Sequence, residues 1–228
     1  RHIHLEPRVQ GLQPAAASRR FPSYLAPAMT QLPELPLTLS RQEIRKMIRQ
    51  RRRTLTPEQQ QEMGQQAATR MMTYPPEVMA HTVAVFLSFD GELDTQPLIE
   101  QLWRAGKRVY LPVLHPFSAG NLLFLNYHPQ SELVMNRLKI HEPKLDVRDV
   151  LPLSRLDVLI TPLVAFDEYG QRLGMGGGFY DRTLQNWQHY KMQPVGYAHD
   201  CQLVEKLPVE EWDIPLPAVV TPSKVWEW

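Results

Sequence analysis

The chain of 228 residues is 43% hydrophobic and 21% charged, with a formal charge of +1, a size that accommodates one larger α/β domain or two small ones around a sizeable core. A single cysteine, Cys201, excludes an internal disulfide framework and any multi-thiolate zinc or iron–sulfur site. The longest apolar stretch, Val158 to Phe166, is broken by Thr161 and Pro162 and falls far short of a membrane span. The opening Arg-His-Ile-His has no apolar signal core, so a soluble cytoplasmic protein is expected.

Charge is unevenly placed. Residues 1–40 carry net +2, residues 41–57 net +6 and residues 58–228 net −7, which describes a mildly acidic body with a basic helix near its start. Residues 1–39 hold several prolines and no sustained period, so they read as an unstructured extension. Within it, residues 1–28 are expected to be non-native upstream sequence, with the native start at Met29 or later. Residues 40–228 read as one domain.

From Ser40 the pattern turns helical, with Ile44, Met47 and Ile48 on one face and Arg41, Arg45, Arg49, Arg52 and Arg53 around the other. Thr56-Pro57-Glu58-Gln59 opens a second helix: Thr caps, Pro takes the first turn and Gln closes a capping box, with the helix running to about Met72. Val83–Phe89 reads as a buried strand, Thr95–Ala105 as a helix capped by Asp94 or Thr95, and Arg108–Leu114 as the next strand. Together these make a βαβ unit, the mark of a parallel sheet. Leu122–Tyr127 follows as a strand, and Asp157–Phe166 as the most apolar and central one. Tyr180–Tyr190 is expected to be helical, with short strands at Pro194–Ala198 and Ala218–Thr221. The fold class is α/β, a single domain with a mostly parallel sheet flanked by helices on both faces.

Glycine is scarce at 11 residues, yet Gly170, Gly174, Gly176, Gly177 and Gly178 fall within nine positions, between a strand and a helix. Glycines there let backbone amides approach an anion, and phosphate cradling is the physical expectation beside the plainer reading of a tightly turned connection. Neither the dinucleotide pattern nor a Walker loop fits, since Phe179 or Asp181 falls at the third glycine and no Lys follows. Asp181, in the first turn of the following helix, either caps that helix or holds Mg2+ beside phosphate oxygens.

Arg172-Leu-Gly-Met-Gly-Gly-Gly-Phe-Tyr-Asp-Arg182 resembles the signature of the 5-formyltetrahydrofolate cyclo-ligase (methenyltetrahydrofolate synthetase) family. Val85-Phe-Leu-Ser-Phe-Asp-Gly-Glu92-Leu-Asp-Thr95 is similar to that family's first strand and folate-contacting turn. Arg41-x-x-x-Arg45 resembles its N-terminal basic pair, and Leu207-Pro-Val-Glu-Glu-Trp-Asp213 its C-terminal acidic segment. The resemblance spans roughly residues 40–222, and within the family the chain looks like the enterobacterial enzymes. It implies an ATP- and Mg2+-dependent carbon–nitrogen ligase that phosphorylates the formyl oxygen of 5-formyltetrahydrofolate, closes the ring to 5,10-methenyltetrahydrofolate, and releases ADP and phosphate.

The resemblance also implies roles. Arg172 and Asp181 would be catalytic. Arg41, Arg45, Arg172, Gly174, Gly176, Gly177, Gly178, Phe179 and Tyr180 would bind ATP. Leu87, Glu92, Met175, Phe179 and Tyr180 would bind the folate, and Asp181 and Asp213 the Mg2+. From pattern alone, Arg41 and Arg45 share a helix face and could equally be solvated, Leu87 could be a core residue, and Asp213 a turn residue. Arg41 often stands as Lys in relatives, and Met175 and Phe179 depart from their usual Arg or Tyr and Tyr. Arg51, Arg52 and Arg53 have no motif partner and read as a solvated face or a weak anion patch. The expected partners are 5-formyltetrahydrofolate, with or without a polyglutamate tail, and ATP; the chain is expected to be a monomer that binds neither nucleic acid nor membrane. A nucleic-acid module built on helix 41–53 would leave the glycine loop and Asp181 unexplained and set an acidic body against a polyanion. A sugar-phosphate isomerase or acyltransferase on a related sheet would need no ATP.

Overall fold

The computed structural model describes residues 39–228. The extension expected over residues 1–39 and the start expected at Met29 lie, but for residue 39, outside the described residues.

Local chemistry sets the first two helices. In α1 (Arg41–Arg53) the Ser40 hydroxyl accepts from the Glu43 amide at 3.1 Å while the Glu43 carboxylate accepts from the Ser40 amide at 3.0 Å. In α2 (Pro57–Thr73) Thr56 and Gln59 repeat that reciprocal box, with Pro57 in the first turn. A short α3 (Pro75–Val78) leads into β1 (Thr82–Ala84), α4 (Gln96–Arg104) and β2 (Arg108–Leu114). The predicted βαβ unit is therefore present, with β1 and β2 in parallel register from Thr82↔Arg108 to Ala84↔Tyr110. Its first strand is shorter than expected: beyond Val85, whose amide still donates to Tyr110 O, the chain leaves the sheet for a turn.

β3 (Leu122–Tyr127) returns antiparallel to β2, and a separate hairpin of β4 (Leu133–Met135) and β5 (His141–Pro143) follows. Then come β6 (Val150–Leu151), β7 (Val158–Thr161), β8 (Ala165–Asp167), β9 (Arg172–Leu173) and α5 (Phe179–Leu184). β10 (Gln193–Tyr197), β11 (Leu203–Val204), β12 (Ala218–Val220) and β13 (Val225–Glu227) complete the order. The main sheet runs β13-β12-β10-β7-β1-β2-β3-β6, parallel from β12 to β2 and antiparallel at both edges; β11-β8-β9 form a second, small sheet.

Two expectations are corrected. Asp157–Phe166 is not one strand: β7 ends at Thr161, Pro162 has no N–H to continue a ladder, and β8 belongs to the other sheet. The Gln202 amide, donating to Leu163 O at 2.7 Å and Val164 O at 3.1 Å, secures the buried passage between them. Nor is Tyr180–Tyr190 one helix. α5 stops at Leu184, Asn186 turns left-handed at φ 59°, and a single 3₁₀ turn follows at Trp187–His189.

Period-two alternation builds the core. Val83, Val158, Ile160, Val195 and Val220 face α2 and α4, meeting Met63, Ala67, Met71, Leu98 and Leu102. Ala84, Leu159 and Val219 face the other way, toward Leu184, Trp187, Trp226 and Trp228. Helices thus cover both faces, as expected. A third cluster seats α1 through Ile44 and Ile48 on Val164, Ala165, Leu173 and Val204 of the small sheet. Among the described residues no helix is long and apolar enough to cross a membrane.

Candidate active site

From β1 the chain steps to β2 on one side of the sheet, while β7 begins the run of strands on the other. The crevice beyond the carboxyl ends of β1 and β7 is therefore a topological switch point, where open α/β sheets hold their ligands. A cavity of about 600 Å³ opens there. Its floor is Phe86 and Leu87 after β1, Leu111 and Pro112 on β2, and Pro162 and Leu163 after β7.

One wall is the glycine loop. Gly178 caps α5 at φ 71°, ψ 9°, and Gly176 sits at φ 107°, both backbone states that an L side chain resists. Arg172 enters from β9, buried, with its Nε donating to Pro162 O at 2.8 Å, so the terminal nitrogens are left to face Asp181, 3.6 Å away. Its guanidinium carbon stands 5.6 Å from the centre of the Tyr180 ring. Asp181 is only 15% exposed, and its Oδ1 is buried without a hydrogen-bond partner. A buried carboxylate oxygen with an arginine nearby but no hydrogen bond has capacity for a further donor or cation.

Helix α1 supplies the second wall. Arg45, buried, donates from Nε to Gly174 O at 2.6 Å and fixes the loop's entrance. Burial, with Arg41 and Arg49 as like-charged neighbours, pushes its pKa below the ordinary arginine value. Arg41 grips Asp213 at both carboxylate oxygens, 2.7 and 3.1 Å, and donates to Pro208 O at 3.2 Å. Asp213 Oδ2 also accepts from the Glu210 amide at 2.8 Å. Asp213 is thus tied to the basic pair beside the cavity and does not itself line it.

The third wall is the turn after β1. Leu87 and Glu92 line the cavity, and the Glu92 carboxylate accepts from the Phe89 amide at 3.0 Å. Burial is the largest influence on Glu92 and raises its pKa to about 7, with Arg52 partly opposing. Met175, Phe179 and Tyr180 also line the space, so all the sequence-predicted site residues except Asp213 border one cavity.

The expectation of a solvated face at Arg51, Arg52 and Arg53 holds for the exposed Arg53 and is corrected for Arg51 and Arg52. Arg52 is 3% exposed and, with Arg49 and Arg53, converges on Asp90, while Arg51 donates to Cys201 O at 3.1 Å. Most of the arginines of helix α1 thus pair with the protein's own carboxylates and carbonyls.

Sequence reasoning missed three contributors. The β4–β5 hairpin roofs the cavity through Asn136, Leu138, Ile140 and His141, and its segment carries no period long enough to announce it. Trp212, 62% exposed, stands at the rim. Arg182 donates to Gly120 O at 2.6 Å and to Gly177 O, and lies 5.7 Å from the Phe179 ring centre, so it buttresses the glycine loop from behind. Its place as the last residue of the glycine motif was the available signal.

Comparison with known proteins shows the family. A family model described as the 5-formyltetrahydrofolate cyclo-ligase family matches residues 38–222. The 5-formyltetrahydrofolate cyclo-ligase of Escherichia coli (strain K12) is 98% identical over 182 residues, covering 80% of this chain and all of that protein. The protein of the same name from Haemophilus influenzae is 53% identical over 78% of this chain and 96% of its own length. The solution structure of Aquifex aeolicus 5,10-methenyltetrahydrofolate synthetase superposes with a TM-score of 0.71 at 28% identity, covering 83% of this chain and 93% of that one. With the signature loop, the basic pair and the turn after β1 placed around one cavity, the chain belongs to the 5-formyltetrahydrofolate cyclo-ligase family.

Proposed function

We propose that the protein is an ATP-dependent ligase that converts 5-formyltetrahydrofolate to 5,10-methenyltetrahydrofolate. The formyl oxygen attacks the γ-phosphorus of ATP and ADP leaves; the neighbouring ring-side amine nitrogen then attacks the activated carbon, and phosphate leaves as the ring closes. The observation that carries this reading is the single cavity in which the glycine loop, Arg45 and Arg172 border the same space as Leu87 and Glu92. Two polyatomic substrates must meet there for a phosphoryl group to pass between them, and positioning and charge neutralisation supply most of such catalysis.

The roles implied by the family resemblance are compatible with this placement. Amides of Gly174–Gly178 and the Arg41 and Arg45 guanidiniums receive the triphosphate. Arg172, oriented by its bond to Pro162 O, meets the phosphoryl group in transit and stabilises the charge that develops there. Glu92 accepts hydrogen bonds from the pterin's amide and amino groups, and Leu87, Met175, Phe179 and Tyr180 enclose the ring. With Phe at 179, that position offers stacking and no hydroxyl donor.

The residues present fit a Mg2+ ion. The buried Oδ1 of Asp181, which makes no hydrogen bond and faces Arg172 at 3.6 Å, is a hard oxygen donor, and one or two carboxylates completed by phosphate oxygens and water are the set this ion takes. Asp181 would hold it, with Asp213 joining once Arg41 turns to phosphate. When bound, the ion screens the triphosphate and draws charge from the leaving ADP.

The test is direct. Incubated with 5-formyltetrahydrofolate, ATP and Mg2+, the protein should generate the near-ultraviolet absorbance of the methenyl product, and only when ATP is present. Absence of ATP-dependent product would overturn the reading.

A further inference from the structure

The turn that presents Glu92 is held from three directions, all outside the cavity. Asp90 faces Arg53 at 3.1 Å, Arg52 at 3.6 Å and Arg49 at 3.7 Å, all on the last turns of α1. The Gly91 carbonyl, one residue on, accepts from Gln60 Nε2 of α2 at 3.1 Å and lies 3.1 Å from His199 Nε2. Burial pushes the His199 pKa down to about 4, so its ring is neutral and Nε2 carries the donating proton. Asp90 and Gly91 both adopt positive φ, 53° and 76°, the sharp reversal that points the Glu92 side chain back to Phe89 and the cavity.

Three arginines on one aspartate exceed what a surface turn requires. Arg52 is buried, with Asp90 3.6 Å away and the Glu92 carboxylate as a second acidic neighbour. The other end of the same helix carries Arg41 and Arg45 to Asp213 and the glycine loop. Helix α1 is therefore the common mount of both halves of the site, and Asp90 is its attachment to the folate half.

We propose that Asp90 is a positioning residue for the folate substrate: through its ion pairs with Arg49, Arg52 and Arg53 it sets the Asp90-Gly91 reversal and so the placement of Glu92. This rests on the reading of Glu92 as the pterin acceptor. A carboxylate that must meet two donors on a flat ring loses binding quickly when its backbone shifts, while ATP, held by the glycine loop and the opposite end of α1, is unaffected.

Asp90→Asn is the suitable variant, because Asn tolerates the left-handed backbone at least as well as Asp and only the charge is lost. Steady-state kinetics should show the KM for 5-formyltetrahydrofolate raised on the order of tenfold, with kcat and the KM for ATP within about twofold of the parent. In a Glu92→Ala background the same change should add nothing further to the folate KM, since a positioning residue has nothing left to position. A merely structural role would lower the melting temperature without that split. Arg53→Ala, at an exposed side chain, should raise the folate KM in the same direction by a smaller factor, and decides the matter if Asp90→Asn folds poorly. An unchanged folate KM in the single variants, or a full additional factor on top of Glu92→Ala, overturns the proposal. If Glu92→Ala itself leaves the folate KM unchanged, the pterin reading of Glu92 fails, and the positioning role with it.

Discussion

At Glu92, desolvation outweighs the Phe89 amide and Arg52, leaving a carboxyl with pKa about 7 where an exposed glutamate sits near 4.5. The folded state therefore holds an extra proton between those two values. The stability this contributes is complete below the unfolded value and is lost as pH rises through about 7. Glu92→Gln should accordingly melt higher than the parent at about pH 8 and level with it at about pH 4, with 2–4 °C gained per roughly 1 kcal/mol; equal melting at both would contradict the burial argument. Because pterin donors favour the charged form, the folate KM of the parent should fall as pH rises from about 6 to about 8, and lose that slope in Glu92→Gln. At Asp181 the expectation is simpler. Asp181→Ala should reduce kcat by on the order of a hundredfold or more with the circular dichroism spectrum unchanged. Near-parental turnover would remove Asp181 from the site. These residues were readable before any fold was known, since Arg172, the glycines and Asp181 lie in one short stretch. Asp213 was named only through the family resemblance: by pattern alone, without its Arg41 partner 172 residues away, it is one more loop aspartate.

Among elements, those set by local rules agreed closely with the structure and those set by tertiary context did not. Two capping boxes fix the starts of α1 and α2 within a few residues of chain, so Ser40 and Thr56 announce them. The apolar run 157–166 says that the chain is buried and Pro162 marks a break in it, but the change of sheet at that break is secured by Gln202, 40 residues further on. The β4–β5 hairpin is tied through Asn136, whose Oδ1 accepts from the Leu138 and Ile140 amides and whose Nδ2 donates to Glu142, a network of polar side chains that period counting overlooks. Helix α1 shows the opposite case: its arginine stripe was legible, but its partners were not. Its seat depends on Ile44 and Ile48. Ile48→Ala should cost about 2–4 kcal/mol in denaturant unfolding, the range for a fully buried isoleucine, and should also weaken ATP and folate binding together because both mounts loosen. A stability loss with both KM values unchanged would count against a shared mount.

Across the whole molecule, the first described helix and the last loop before β12 are joined by Arg41 and Asp213, 172 residues apart, and Arg45 reaches Gly174 across 129. Closing so long a loop carries an entropic cost that the sheet must already have offset. The basic pair is therefore the first part of the site to be synthesised and among the last to find its place. On refolding from denaturant, far-ultraviolet ellipticity should recover before catalysis, and identical time courses would contradict this order. In the cell the same separation acts as a completeness check. A chain that stops short of residue 213 would carry the glycine loop and the arginines but lack Asp213, β12 and β13, leaving both the sheet and the site unfinished.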